Sequence, residues 1–374
     1  YCLEKPIGIW AFPEPRQSGR LRLNAFCGLN LASHTLGLNN IPFSWIYENP
    51  ENIEETKFEI LINSNNSKRP KKILEIPSLG SKKAKSIKEK IHNFKIGKIG
   101  SHPDGFDTCK YDQKKLIGLC GIKVDEIEID TFLNNSRNVK SEEIEPTFNK
   151  LKRTISSIND VNQKELTLSL KLENSLKKLQ KDGSYNAFAL RCWPEMFTEY
   201  GGAICAPASM LTEKKVPCAC EADVYGAVTQ LILQEVSGQS VFLTDIVDID
   251  IDDNTGVFWH CGQAPLSMCN PKIKPTATIH SNRKMPLLFE FPLKEGIVTM
   301  MRISQSFGEQ KMVVSKGKML DRALPFTGTS GVIKFDNDSK QVLNDIISFG
   351  LEHHIAITYG DHVKLLSELA SELK

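Results

Sequence analysis

The chain has 374 residues, of which 40% are hydrophobic and 25% are charged, a composition typical of a globular protein with more than one core. Lys and Arg total 47 against 45 for Asp and Glu, which leaves a formal net charge of +2. This balance gives no electrostatic reason to expect nucleic acid or an acidic membrane as a partner. No segment has the ~20 consecutive apolar residues that a membrane helix needs, so we expect no membrane and no nucleic acid as partners.

The ten cysteines are spread from Cys2 to Cys269, and several lie within apolar runs such as the one that ends at Cys205. Scattered cysteines in apolar surroundings are typical of reduced, buried thiols rather than of a disulfide framework. We therefore predict a reducing compartment and a cytoplasmic location.

The first part of the chain, residues 1–94, is predicted to be an α/β domain, with short apolar strands and one helix over about 22–37. The apolar run from Pro6 to Phe12 is typical of a strand inside a domain, so we expect this domain to be truncated. Residues 64–92 are basic and polar. Because no aromatic residues are interleaved there for base stacking, the segment predicts a solvated loop and an exposed helix rather than a nucleic-acid surface.

Residues 95–237 are predicted to form a central α/β domain, because strands alternate with helices there. Such alternation predicts a parallel sheet covered on both faces, with ligand sites beyond the carboxyl ends of the strands. The predicted elements are a strand that ends at Gly100, a helix over 113–119, a strand over 122–130, a long helical stretch over 141–181 and a buried strand over 186–193.

From about residue 238 the pattern changes to short alternating strands separated by turns, with little helix before Ser339. This pattern predicts an antiparallel sheet or barrel. We therefore predict a C-terminal, mostly β domain over 238–374, and an α/β fold class for the whole chain.

Two acidic residues are placed where a charge needs a partner. Glu221 follows a short strand and precedes an apolar helix, so its carboxylate can bind a cation or a proton there, with helix capping as the alternative. Asp245 lies in the apolar run 241–247, where an unpaired charge would be costly. A metal would serve as its partner, and Asp248 is its main rival as a ligand.

Three histidines are also predicted to lie at the ends of strands. His260 ends one strand, while His353 and His354 begin another, on which successive side chains point to opposite faces. We therefore expect at most one of this pair to face a given site. Carboxylate and imidazole ligands together suit Mn²⁺ or a similar divalent cation.

A structural zinc site is the alternative metal centre, although the spacing of its residues does not match the usual patterns. Its ligands would be Cys218, Cys220, His260 and Cys261.

Several segments together resemble the L-fucose isomerase and L-arabinose isomerase superfamily, most closely the L-fucose isomerase-like proteins. The segments are CWPEMF, CACEADVYGAVT, FLTDIVDID, FWHCGQAP and HHIAITYGD. The resemblance covers most of the chain and implies two Rossmann-like parallel-sheet domains followed by a C-terminal antiparallel β-barrel-like domain. It also implies a homo-oligomer, a monosaccharide substrate and Mn²⁺ bound by Glu221, Asp245 and His354.

The activity implied by the resemblance is the interconversion of an aldose and a ketose through a cis-enediol. This reaction needs a base at carbon, an acid for the oxygens and a cation. Glu221 and Asp245 resemble the family's pair that binds the metal and exchanges protons. His260 is a candidate for contact with the substrate, because a histidine in the comparable place lies near the metal in the arabinose branch.

Two further residues are candidates for substrate binding. Arg16 is placed to orient the substrate, with a surface ion pair as the alternative, and Trp193 is suited to stack on a sugar face, with a core role as the alternative.

Two other functions remain open at this point. One is a non-catalytic sugar-binding relative of the isomerase fold, which would have no need for the complete set of Glu221, Asp245 and His354. The other is a metal-dependent hydrolase of phosphate or acyl esters, which would release phosphate or acid instead of changing a reducing sugar.

Overall fold

The computed structural model describes residues 7–63 and 80–373. These residues form three sheets of two, four and eight strands. Cys2 and the predicted loop over 64–79 lie outside the described residues. The nine cysteines within them are all free thiols, and no helix in this part of the chain is long and apolar enough to cross a membrane.

The N-terminal elements are one parallel strand pair and two helices. They are β1 (Ile7–Ala11), α1 (Ala25–Leu38), β2 (Phe43–Tyr47) and α2 (Glu55–Asn63). The predicted helix over 22–37 is present as α1, and its buried side chains Phe26 and Leu29 pack in the same apolar cluster as Tyr47.

The middle of the chain forms a four-stranded parallel sheet in the order β4-β3-β5-β6. Its strands are β3 (Lys95–Ile99), β4 (Lys123–Ile127), β5 (Ala187–Leu190) and β6 (Cys218–Cys220). Its helices are α3 (Lys82–Ile91), α4 (Gln113–Cys120), α5 (Ile129–Arg137), α6 (Ser141–Thr154), α7 (Gln163–Gly183), α8 (Cys205–Glu213) and α9 (Val224–Ser237). Every residue of β5 and of the edge strand β6 is buried, as expected for a parallel sheet with helices on both faces.

Two helix predictions in this region need correction. The single stretch over 141–181 is two helices, because the side chain of Asn162 accepts the backbone N–H groups of Lys164 and Glu165 and so starts α7 as a separate helix. The helix α3 is exposed on its lysine-bearing face only, since Ala84, Ile87 and Ile91 are buried.

The rest of the chain forms a mixed eight-stranded sheet in the order β12-β11-β14-β7-β8-β13-β10-β9, and β12 also pairs with β13. Its strands are β7 (Phe242–Asp250), β8 (Thr255–His260), β9 (Thr276–Thr278), β10 (Leu288–Pro292), β11 (Gly296–Ser304), β12 (Lys311–Met319), β13 (Thr329–Phe335) and β14 (His354–Tyr359). The helices are α10 (Ser339–Ser348) and α11 (Val363–Glu372). Neighbouring strands are antiparallel, apart from the parallel pair β10–β13. The barrel-like form and the domain boundaries stay predictions.

Helix α9 lies between the two larger sheets, because it contacts β5 and β6 of the parallel sheet and β11 and β14 of the mixed sheet. Val228 and Leu231 of α9 belong to one buried apolar cluster with Ala189 of β5, Met301 of β11 and Ala356 of β14. Packing through α9 therefore holds the carboxyl end of β6 close to the start of β14.

Candidate metal centre and active site

Glu221 is the first residue of the turn between β6 and α9. Its φ is 59° and that of Ala222 is 54°, so two consecutive non-glycine residues are left-handed. This conformation costs about 1–2 kcal/mol per residue and is concentrated at functional sites. The Glu221 side chain is 15% exposed, and its Oε1 accepts the indole N–H of Trp193 at 3.4 Å.

His353 supports the other oxygen of this carboxylate. Its Nε2 lies 2.9 Å from Glu221 Oε2, and its Nδ1 lies 2.9 Å from the hydroxyl of Thr108. Because an ionised carboxylate only accepts hydrogen bonds, Nε2–H donates to Glu221 and the hydroxyl donates to Nδ1.

His354 provides a nitrogen that faces both predicted acidic ligands. Its Nδ1–H donates to Asp223 Oδ2 at 2.9 Å, which leaves the lone pair on Nε2 free. That Nε2 lies 3.7 Å from Glu221 Oε2 and 3.6 Å from Asp245 Oδ1. The register of β14 on β7 places His354 directly opposite Asp245, so His354 lies close to each of the two predicted acidic ligands.

The expectation that only one residue of the histidine pair faces the site was wrong. Both side chains approach Glu221, and their ring centroids are 3.9 Å apart. His353 precedes β14, which begins at His354, so the alternation of strand side chains does not apply to it.

Asp223 holds His354 and also begins α9. Its Oδ1 accepts the backbone N–H of Gly226 at 2.8 Å, and Arg302 Nη1 donates to its Oδ2 at 2.6 Å. A Cβ at position 226 would lie 2.6 Å from that Oδ2, so the glycine allows the close approach. Burial alone would raise the pKa of Asp223, but the charge of Arg302 and the hydrogen bond from His354 hold the pKa well below its usual range.

The two acidic residues of the site have pKa values displaced in opposite directions. Burial raises the pKa of Asp245 to about 6, although the charges of His354 and His260 oppose this rise. Burial would also raise the pKa of Glu221, but the hydrogen bond from His353 and the neighbouring histidine charges bring the pKa below its ordinary value. Pairs of acids separated in this way are typical of acid–base sites.

The residues fit a divalent cation. Asp245 Oδ1 is buried and has no hydrogen-bond partner among the described residues, which is costly for a carboxylate unless a cation is bound. Burial and the nearby His353 lower the pKa of His354, which keeps its imidazole in the neutral form that binds metals. Ligands at right angles, each about 2.1 Å from a cation, lie about 3 Å apart, so the separations of 3.6 and 3.7 Å from His354 Nε2 need only a small contraction. Glu221 and Asp245 share no group of mutually close ligand atoms among the described residues, so their carboxylates must also approach each other to bind one cation.

Two overlapping groups of side chains meet the spacing that a metal needs, with the ligand atoms of each group within 4.8 Å of one another. The groups are Asp245, His260 and His354, and Cys109, Glu221, His353 and His354. Of the alternative zinc ligands, Cys261 lies 3.3 Å from His260 Nδ1 and also contacts Cys220. In the described part of the chain neither group contains Cys218 or Cys220, so the four alternative zinc ligands do not meet the spacing of one metal site.

Of the substrate-binding candidates, His260 and Trp193 lie beside the predicted metal ligands. The ring centroid of His260 is 5.8 Å from that of His354, and its Nδ1 accepts the backbone N–H of Cys261. Trp193 contacts Glu221 through its indole N–H, as described above.

Arg16 is bound away from these groups. Its Nε donates to Asp248 Oδ2 at 2.6 Å and its Nη1 donates to the hydroxyl of Thr255 at 2.7 Å. The other oxygen of Asp248 accepts the hydroxyl of Tyr47 at 2.6 Å. Asp248, the rival to Asp245, is therefore occupied by Arg16 and Tyr47.

Comparison with known proteins gives a consistent result. The fucose/sulfoquinovose isomerase N-terminal domain matches residues 2–66, and the L-fucose isomerase C-terminal domain matches residues 258–374. The sulfoquinovose isomerases of Priestia aryabhattai and Priestia megaterium are each 30% identical over 371 residues, covering 99% of this chain and 79% of each relative. That of Alkalicoccus urumqiensis is 29% identical over 368 residues, covering 97% and 78%.

The chain belongs to the L-fucose isomerase-like family. It is an aldose–ketose isomerase, and the resemblance seen in the sequence segments is confirmed.

Sequence reasoning missed several residues that support the isomerase's site. Asp223 carried a usable signal, since it stands two positions after Glu221 at a helix start, where acids cap. Arg302 lies in an apolar strand and is 2% exposed, and a charge in such a run needs a buried partner. Thr108 and Cys109 gave no signal, because they lie in a short 3-10 helix far from the predicted ligands in sequence.

Proposed function

We propose that this isomerase is metal-dependent and uses Glu221, Asp245 and His354 to hold Mn²⁺ or a similar divalent cation. The observation that carries the proposal is the position of His354 Nε2, within 4 Å of both carboxylates. A buried and unbonded Asp245 Oδ1 supports it. Oxygen ligands with one imidazole suit Mn²⁺ better than a structural zinc.

The proposed reaction interconverts an aldose and a ketose through a cis-enediol. When bound, the cation would supply positive charge against the negative charge that develops on the substrate oxygens. Asp245 is proposed both to bind the cation and to take and return a proton, because it lies opposite His354 at the same site. Glu221 and the N–H of His353, 2.9 Å apart, form a second unit that can exchange protons with the substrate.

The substrate is proposed to be a sulfonated hexose, because the relatives reported above are sulfoquinovose isomerases. His260 and Trp193 are proposed to contact it, since both lie beside the metal ligands. For Arg16 a substrate role stays a prediction, and its bonds to Asp248 and Thr255 favour support of its own loop. A cytoplasmic location and a homo-oligomeric state also stay predictions.

The test is to strip the protein with a chelator, restore Mn²⁺ and follow the conversion of sulfoquinovose to its ketose by NMR. We expect conversion only with metal. The variant Glu221→Gln should reduce turnover by about 10³-fold or more and weaken Mn²⁺ binding, because it removes an anionic ligand that also exchanges protons.

The matched control is Glu199→Gln, because Glu199 is an exposed acid near the same sheet edge. It should leave turnover unchanged. Full activity of the chelated enzyme would contradict metal dependence, whereas sugar binding without any conversion would favour the non-catalytic alternative.

A further inference from the structure

The guanidinium of Arg283 is held between two aromatic rings at the edge of the site. Its Cζ lies 4.8 Å from the ring centroid of Trp193 and 5.3 Å from that of Phe197. The backbone N–H of Arg283 donates to Nδ1 of His280, and the His280 ring packs against Phe197 at 5.3 Å. The cation–π contacts therefore restrain the guanidinium, and the hydrogen bond to His280 restrains the backbone that carries it.

Aromatic stacking occupies the faces of a guanidinium but leaves its five N–H donors free in the plane. Within residues 7–63 and 80–373, no carboxylate lies within ion-pair distance of Arg283, and its side chain donates no hydrogen bond. Three other arginines of the described chain are each paired with a carboxylate. These pairs are Arg16 with Asp248, Arg191 with Glu195, and Arg302 with Asp223.

Trp193 connects Arg283 to the proposed reaction site. The indole N–H of Trp193 lies 3.4 Å from Glu221 Oε1, while Arg283 lies over the ring of the same indole. One indole therefore separates the guanidinium from the carboxylate at which carbons 1 and 2 of a sugar would react. A hexose that lies along Trp193 would carry its far end towards Arg283.

The acids at the site make an unpaired cation necessary for an anionic substrate. The carboxylates of Glu221 and Asp245 both lie within 4 Å of His354 Nε2, so acidic groups are concentrated at this end of Trp193. A sulfonate in this environment would be repelled unless a cation met it. Its oxygens offer the acceptors that a guanidinium binds in pairs.

We propose that Arg283 binds the sulfonate at the far end of the substrate while Trp193 packs along the carbon chain. Arg283 then decides between sulfonated and neutral hexoses. This inference rests on the proposed function of the neighbouring metal centre.

The experiment compares sulfoquinovose with 6-deoxy-D-glucose, which has the same ring without the sulfonate. Calorimetric affinities and KM values are measured for both sugars with the full Mn²⁺-loaded chain. The variant Arg283→Gln should weaken sulfoquinovose binding by roughly 10- to 100-fold, the usual effect of losing hydrogen bonds to a charged group. Its affinity for the neutral sugar and its kcat should change less than about twofold.

Two further variants sharpen the test. Arg283→Lys keeps the charge but loses the paired donors, so it should bind sulfoquinovose with intermediate affinity. Arg153→Gln is the matched control, because Arg153 is exposed on α6, and it should bind both sugars as the unchanged protein does.

Three outcomes would overturn the inference: no preference of the unchanged protein for the sulfonated sugar, an unaltered affinity for it in Arg283→Gln, or an equal loss for both sugars. Conversion of sulfoquinovose with any of these results would leave the proposed function standing. Selective sulfoquinovose binding through Arg283 without conversion would support the inference and contradict the proposed function.

Discussion

The two larger sheets present their ligands to the site in different ways. The parallel sheet presents Glu221 on a left-handed turn beyond the end of β6, where Trp193 and His353 hold its side chain. The mixed sheet presents Asp245 and His354 as opposite residues of two paired strands. A turn can shift by backbone rotation, whereas a strand register changes only by breaking the ladder. The sheet pair is therefore the rigid half of the site, and Glu221 is the adjustable half.

Asp223 joins the two halves, so replacing it should have the largest effect on metal affinity and on stability. Asp223→Asn weakens the acceptor for His354 Nδ1–H and leaves Arg302 beside a neutral group. We expect Mn²⁺ affinity to fall 10- to 100-fold, by analogy with residues that orient metal ligands. The free energy of unfolding should fall by about 4 kcal/mol, because a buried ion pair loses one partner.

Calorimetric Mn²⁺ titration and urea unfolding measure these two effects. Asp182→Asn, on the exposed end of α7, is the control and should change neither. Mn²⁺ affinity at the unchanged value would mean that strand register alone orients His354.

In the rigid half, Asp245 should make the metal-free protein less stable to unfolding as the pH rises. The pKa of Asp245 is raised to about 6 on folding, from about 3.9 in an unfolded chain. A raised pKa contributes stability below about pH 4 that is lost as the pH rises through 6, and the loss amounts to about 3 kcal/mol. Asp245→Asn should therefore gain about 3 kcal/mol of unfolding free energy over the unchanged protein between pH 4 and pH 7.5.

Chemical unfolding at the two pH values, with chelator present, measures this difference. With Mn²⁺ added at pH 7.5, the unchanged protein should be stabilised and the variant should not. If the difference in unfolding free energy between Asp245→Asn and the unchanged protein does not vary with pH, ionisation of Asp245 does not destabilise the folded protein.

The adjustable half should respond weakly to loss of its outermost support. Thr108→Val removes the hydroxyl that donates to His353 Nδ1 while keeping a similar volume. We expect a few-fold loss of kcat/KM and a fall of about 1 kcal/mol in unfolding free energy, the usual value for one neutral hydrogen bond. Thr108→Ser should restore both, and a serine variant as impaired as the valine variant would indicate packing instead.

Sequence patterns predicted the rigid half less completely than the adjustable one. The position of Glu221 could be predicted because the carboxyl end of a strand is visible in a single segment. The pairing of His354 with Asp245 could not, because period-two alternation shows which face a residue occupies and not which residue lies opposite. The orientation of His353 was predicted wrongly because the first residue of β14 could not be located to within one position. The start of α7 was missed because Asn162 lies within a helical pattern and was not recognised as a helix cap.

The same limits explain the supporting residues. Asp223 and Arg302 form one buried pair from a helix cap and a strand that stand far apart in the chain. Each residue alone was visible as a charge in an apolar or capping position, but the pair depends on how α9 packs on β11. Tertiary packing of this kind has no local pattern.

Glu221 follows the parallel sheet, whereas His354 belongs to the mixed sheet. Metal binding by both residues would therefore report whether the two sheets have packed together. If Glu221, Asp245 and His354 bind Mn²⁺ as proposed, a fragment with only one of the two sheets would have an incomplete set of ligands, and strong Mn²⁺ binding would follow only after α9 has docked both sheets. By linkage, each tenfold excess of free metal over its dissociation constant would favour the docked chain by about 1.4 kcal/mol. In a cell, manganese supply would then control how long the folded enzyme survives proteolysis, in addition to how fast it turns over sugar.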